Sequence, residues 1–148
     1  MSSRLAVLGS DLMIILNREQ FEEIVKYCKS GLPNESCGLL GGIIDENKKI
    51  VKKVYFLTNI DKSPEHFSME PKEQFAAVKD MRSNKFVLLG NFHSHPNSPS
   101  RMSEEDKRLA FDVNLSYLIL SLAESEPVLK SFKIDINHQV EQEELIIE

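Results

Sequence analysis

Two histidines separated by one residue, His93 and His95, are followed eleven residues later by a carboxylate, Asp106, with Ser103 three residues before it. Two imidazoles and one carboxylate form a nitrogen/oxygen donor set that suits zinc, with a fourth position left for water. On a strand, His93 and His95 would share one face, because side chains alternate with a period of two. Ser94 would then face the other way. The same residues admit plainer readings. Ser-x-x-Asp is also the spacing of a helix cap, and an isolated His-x-His pair is a weak signal. The weight rests on the combination: a strand before, a turn between and a helix after.

The flanking elements position these side chains. Residues 86–92 form an apolar run of β-formers that leads directly into His93. Pro96 ends the ladder because it has no N–H to give. Asn97-Ser-Pro-Ser is turn-forming, and from Ser103 a helical pattern begins, with Leu109, Ala110 and Val113 as its apolar stripe. A side chain in the first turn of that helix points back at the preceding strand end. This brings Asp106 toward the histidines as a third ligand.

His93-Ser-His95, seven residues, Ser103, two residues and Asp106 together match the JAMM motif. The chain resembles the MPN-domain zinc metalloproteases that carry it. A second segment, Pro33-Asn-Glu35-Ser-Cys-Gly-Leu-Leu-Gly-Gly42, resembles the upstream glutamate-bearing part of the same family. The resemblance implies a single α/β domain over residues 1–148: a curved mixed sheet flanked by helices, with a topology like that of cytidine deaminases. It implies one zinc per chain on His93, His95 and Asp106. Zinc lowers the pKa of a bound water to roughly 7, which suits amide hydrolysis at neutral pH. Glu35 would be the general acid/base and Ser103 the oxyanion donor. Two positions depart from the usual pattern, Met102 where proline is common and Glu70 where aspartate often precedes a helix proline. Neither is a proposed ligand.

JAMM proteases cut after the C-terminal Gly-Gly of ubiquitin-like proteins, and the short connections here resemble the compact stand-alone prokaryotic members. The implied substrate is a ubiquitin-like or sulfur-carrier protein, and the implied reaction is peptidase or isopeptidase cleavage. The main alternative is a non-catalytic MPN scaffold that binds a protein partner. Such members usually lack ligands, and every ligand position is filled here. A zinc deaminase would need His-x-Glu and Pro-Cys-x-x-Cys, which do not occur. The DNA-repair-associated JAMM-like group typically reads His-Asn-His-Pro, whereas Ser94 stands between the histidines here.

Composition bounds the rest. With 148 residues the chain suffices for one domain with a sizeable core. A net charge of -5 without a Lys/Arg cluster argues against a nucleic-acid partner. No apolar run reaches membrane-spanning length and no export signal is evident, so the expected place is the cytoplasm. Cys28 and Cys37 do not suggest a disulfide framework, and oligomeric state is not readable.

In chain order, residues 1–10 are expected to fray. A short buried strand falls at 12–16. A capping box of Asn17 and Gln20 opens a helix over 18–30, with Phe21, Ile24, Val25 and Cys28 at helical spacing. Strands at 37–44 and 50–58 form a hairpin around a turn at 45–49. The glycines at 38, 41 and 42 mark close backbone approach or a bulge. A polar loop at 59–68 contains His66, expected to be a surface residue, and Pro71 opens a helix to 83. A buried strand follows at 114–122. Two further strands, 129–136 and 140–147, meet at His138 in a turn, and the acidic run 141–144 is expected to be solvated.

Overall fold

The computed structural model describes residues 12–148. The expected fraying of residues 1–10 lies outside them. Eight strands and three helices alternate in the order β1 (Met13–Leu16), α1 (Arg18–Ser30), β2 (Cys37–Asp45), β3 (Lys48–Leu57), α2 (Pro71–Ser83), β4 (Val87–His95), α3 (Glu104–Leu109), β5 (Ser116–Ser121), β6 (Val128–Ile134), β7 (Val140–Glu143) and β8 (Leu145–Ile147).

The strands form one mixed sheet in the order β7-β6-β5-β4-β2-β3-β1-β8. Its two edge strands, β7 and β8, are separated in the chain by Glu144 alone. The sheet must therefore curl until its edges nearly meet. β4 and β5 run parallel, and a parallel pair needs a crossover between them. That crossover carries α3, which brings the helix back past the carboxyl end of β4.

Local signals explain the helices. Asn17 accepts from the Gln20 amide at 2.7 Å and the Gln20 side chain returns the bond to Asn17 N–H at 2.9 Å, closing the capping box of α1. Ile24 and Cys28 of α1 are buried with Ile14, Leu16, Leu40, Leu89, Phe92, Leu118 and Leu120. In α2, Pro71 opens the helix and Glu70 caps it, accepting from the Glu73 amide at 2.8 Å. Glutamate at 70 thus fills the capping role that aspartate would fill. Ala77 and Met81 of α2 pack on Leu39, Tyr55 and Leu57, and a third cluster joins Met102 and Ala110 to Tyr117, Ile119, Phe132 and Ile134. The glycine expectation is met in both of its forms. A bulge falls at Gly41/Gly42, and a Cβ on Gly38 would lie 2.2 Å from the Phe92 ring and from the Tyr55 carbonyl.

Four expectations need correction. Residues 140–147 are two strands: β7 pairs antiparallel with β6, but β8 crosses to the far edge and runs parallel to β1. Lys49 lies on β3 rather than in a turn, and it is 1% exposed. Glu143, in the run expected to be solvated, is buried. It accepts from the Ser131 hydroxyl at 2.7 Å and lies 3.8 Å from Lys49 Nζ. Sheet closure explains both burials, because it turns the start of β3 and the end of β7 toward one interior. Finally, α3 stops at Leu109, and of the expected stripe only Ala110 is buried, while Leu109 is exposed.

Candidate active site

His93 and His95 are the last residues of one face of β4, between β2 and β5. Both are buried, at 4% and 5% exposure. Ser94 points away from them into the core. Its hydroxyl accepts from the Ser36 amide at 2.8 Å, and its own amide donates to the Ser36 carbonyl at 3.0 Å.

Asp106 meets the histidines from the first turn of α3. His93 Nε2 and His95 Nε2 are 3.2 Å apart, and Asp106 Oδ2 lies 3.2 Å from the first and 3.1 Å from the second. Three donor atoms thus form a nearly equilateral triangle. In a tetrahedral site with bonds of about 2.0–2.1 Å, ligand atoms stand about 3.3–3.4 Å apart. The triangle fits one face of such a site, and the donor types fit zinc. With its proton on Nδ1, His95 donates to the Pro99 carbonyl at 2.9 Å, which leaves the Nε2 lone pair directed at the triangle. The His93 ring stacks on Phe67, with centroids 4.6 Å apart and planes at 23°.

The cap formed by Ser103 and Asp106 does not draw the Asp106 carboxylate away from the histidines. Ser103 Oγ accepts from the Asp106 amide at 3.0 Å, and Asp106 Oδ2 accepts from the Ser103 amide at 3.0 Å. The cap fixes the same oxygen that faces the histidines. Because Ser103 Oγ is an acceptor in this pair, its own proton stays free to donate outward, and the residue is exposed.

Glu35 precedes β2, where Cys37 pairs with His93 across the antiparallel ladder. Continuing that register through the bonded pair of Ser36 and Ser94 sets Glu35 opposite His95. It is 6% exposed, and its Oε1 has no hydrogen-bond partner among the described residues. Burial pushes its carboxyl up to about 8; the nearby His95 opposes this, and the charges of Asp106, Glu105 and Glu65 add to it. Asp106 is held well below the carboxylate range. Burial would raise it, but the bonds from His93, His95 and the Ser103 amide outweigh that. Burial likewise lowers His93 despite Asp106. For His95 burial is overcome by Asp106, the Pro99 carbonyl and Glu35, so its pKa is raised.

His66 is exposed and does not join the triangle. It pairs with the Glu105 carboxylate, next to Asp106 on α3. Sequence reasoning assigned no role to Phe67, Asn59 or Pro99, all of which touch the site or its supports. Asn59 and Phe67 reach it through pairings across long chain separations, whereas Pro99 meets His95 only four residues away. Met102 is buried beside Asp106 and lines, with Phe67, His93 and Tyr117, a cavity of about 50 Å³ next to the histidines.

A nearly closed mixed sheet with helices, presenting paired histidines and a helix-borne aspartate at a strand's carboxyl end, defines the JAB/MPN class of α/β domains. The chain matches the profile described as prokaryotic homologs of the JAB domain over residues 17–135, and it belongs to that family. It is 23% identical over 127 residues to the CysO-cysteine peptidase of Mycobacterium tuberculosis, covering 85% of this chain and 86% of that one. It is 33% identical over 93 residues to the desampylase of Pyrococcus furiosus, covering 63% of each chain. Among solved structures, a protein of Desulfitobacterium hafniense superposes with a TM-score of 0.84 at 58% identity, over 92% of this chain and 93% of the other. A JAB1/MPN domain protein from Archaeoglobus fulgidus shares the fold, with a TM-score of 0.58 at 22% identity over 90% and 96% of the two chains. Among the described residues, no helix is long and apolar enough to cross a membrane.

Proposed function

We propose that this protein is a zinc-dependent JAMM-type peptidase or isopeptidase. Its substrate is the amide bond after the C-terminal Gly-Gly of a ubiquitin-like, sulfur-carrier type of protein. The observation that carries this reading is the triangle of His93 Nε2, His95 Nε2 and Asp106 Oδ2 beside the unpartnered carboxyl of Glu35. The likeness to a CysO-cysteine peptidase and to desampylases supports a hydrolase and the substrate class.

His93, His95 and Asp106 would hold one zinc, which when bound supplies Lewis acidity and a water of lowered pKa. The remaining work falls to side chains. Glu35, in its ionised form, takes a proton from the attacking water and keeps it until the leaving nitrogen needs it. Water oxygen bonds to the glycine carbonyl carbon, the C–N bond breaks, and the proton held by Glu35 goes to the departing amine. Ser103 directs its free hydroxyl proton at the oxygen that gains charge. Phe67 covers one face of His93 and limits water there. Two buried free cysteines suit a reducing compartment, so the cytoplasm is the proposed site of action.

The test pairs metal content with cleavage. Zinc-loaded wild type should carry about one zinc per chain. It should release the added residue from a ubiquitin-like carrier extended by one amino acid beyond Gly-Gly, read by mass spectrometry. Glu35→Ala should keep the zinc and lose cleavage. Zinc-loaded protein that leaves every such Gly-Gly extension intact would sink the peptidase reading in favour of a scaffold.

A further inference from the structure

The Glu35 carboxyl has an oxygen that is buried and unpartnered. No side-chain bond to that oxygen fixes its place, so the main chain from which it hangs must do so. The four main-chain polar groups of Glu35 and Ser36 are all paired. Ser94 takes both from Ser36, as described above. The two from Glu35 go to the loop between β3 and α2. Glu35 N–H donates to the Ser63 carbonyl at 2.8 Å, and the Glu35 carbonyl accepts from Asn59 Nδ2 at 2.9 Å.

Asn59 also organises that loop. Its Nδ2 donates to the His66 carbonyl at 2.9 Å, and its Oδ1 accepts from the amides of Asp61 at 3.0 Å and Ser68 at 3.1 Å. The same loop places Phe67 on the His93 ring and His66 against Glu105. One amide side chain therefore joins the segment bearing Glu35 to the loop that lies against His93 and α3.

We propose that Asn59 is a positioning residue, which sets Glu35 over the His93–His95–Asp106 triangle through its bond to the Glu35 carbonyl. The inference rests on the hydrolase reading for its catalytic consequence, but its structural half stands alone. Displacement of a catalytic group by about 1 Å costs on the order of a hundredfold in rate. Releasing the Glu35 main chain should therefore act on turnover more than on substrate binding.

Two variants separate loop folding from positioning. Asn59→Asp keeps both acceptor bonds to the Asp61 and Ser68 amides but sets a carboxylate against the Glu35 carbonyl. Asn59→Ala removes the donors and the Oδ1 acceptor together, without adding charge. In both, kcat on the one-residue-extended Gly-Gly carrier should fall at least tenfold, with KM within about threefold and zinc content unchanged. Hydrogen–deuterium exchange of the zinc-loaded protein should rise at least tenfold at residues 35 and 36 and stay unchanged in β4 and α1. Exchange unchanged at residues 35 and 36 overturns the proposal, as does kcat within twofold of an active wild type. So does a loss of zinc or of folding in both variants, since Asn59 would then be structural. A wild type that binds zinc but cleaves nothing counts against the hydrolase reading alone, and the exchange result still decides whether Asn59 holds Glu35.

Discussion

Ser94 and Ser36 clasp each other across the two halves of the site, with Ser94 Oγ accepting from Ser36 N–H at 2.8 Å and Ser94 N–H donating to the Ser36 carbonyl at 3.0 Å. The residue between the two histidines thereby ties them to the segment that carries Glu35. Ser94→Ala leaves a buried amide without an acceptor, which costs about 1–3 kcal/mol. Ser94→Thr keeps the hydroxyl and should recover part of the loss. Urea denaturation of the three proteins checks this, and equal stability of Ser94→Ala and wild type would dismiss the clasp.

Zinc should stabilise the fold, because the triangle exists only in the folded chain. At free zinc a hundredfold above its dissociation constant, linkage gives about 2.7 kcal/mol. A thermal scan should show a higher midpoint with zinc, reversal by a chelator, and no zinc response in His95→Ala. A zinc-induced shift of equal size in that variant would place the ion elsewhere.

Glu35 makes the stability of the metal-free protein depend on pH. Its folded pKa is raised from 4.5 to about 8, chiefly by burial. Its contribution is therefore fully present below about pH 4.5 and is lost as pH rises through about 8. Glu35→Gln removes this loss. The variant should gain about 1–3 kcal/mol on wild type between pH 5 and pH 8.5, less than the full shift allows because solvent screens part of it. Guanidinium titrations of both proteins with chelator present, at the two pH values, measure the difference. A gap that does not widen with pH refutes it.

Lys49 and Glu143 join opposite parts of the curled sheet inside the protein. Lys49 Nζ donates to Ser116 Oγ at 2.8 Å and to the Asn114 carbonyl at 3.2 Å, with Glu143 Oε2 at 3.8 Å. Lys49→Met leaves Glu143 charged and buried without its counter-ion, and should cost about 3–5 kcal/mol. The double variant Lys49→Met/Glu143→Met should regain at least half of that. If the double variant is as unstable as the single, the loss comes from the serine and carbonyl contacts rather than from the charge.

Much of the fold was readable because its signals are short-range. The Asn17/Gln20 and Ser103/Asp106 boxes each link residues three positions apart, and both close in the structure. The alternation that set His93 and His95 apart from Ser94 is a property of any extended chain. The helix over 18–30 needed only its cap and apolar spacing, while the helix over 71–83 was marked by Pro71, its spaced apolar residues Phe75 and Val78 being exposed. The misread segments lack such signals. Residues 140–147 look like one strand, since nothing local to Glu144 marks that the next three residues pair with β1 instead of β6.

By itself the sequence determined which donor atoms are available, which strand face carries them, and where the helix bearing Asp106 begins. These follow from dihedral period and capping, which act within one or two turns of chain. The tertiary structure decided the rest. It alone set Glu35 opposite His95, through a β2–β4 register that joins residues 56 apart, as Cys37 and His93 are. It alone turned Asn59 onto the Glu35 carbonyl and folded Lys49 and Glu143 into one interior. The physical reason is closure. Burial and register depend on how the whole sheet curls, and no local stretch of side chains encodes that curvature.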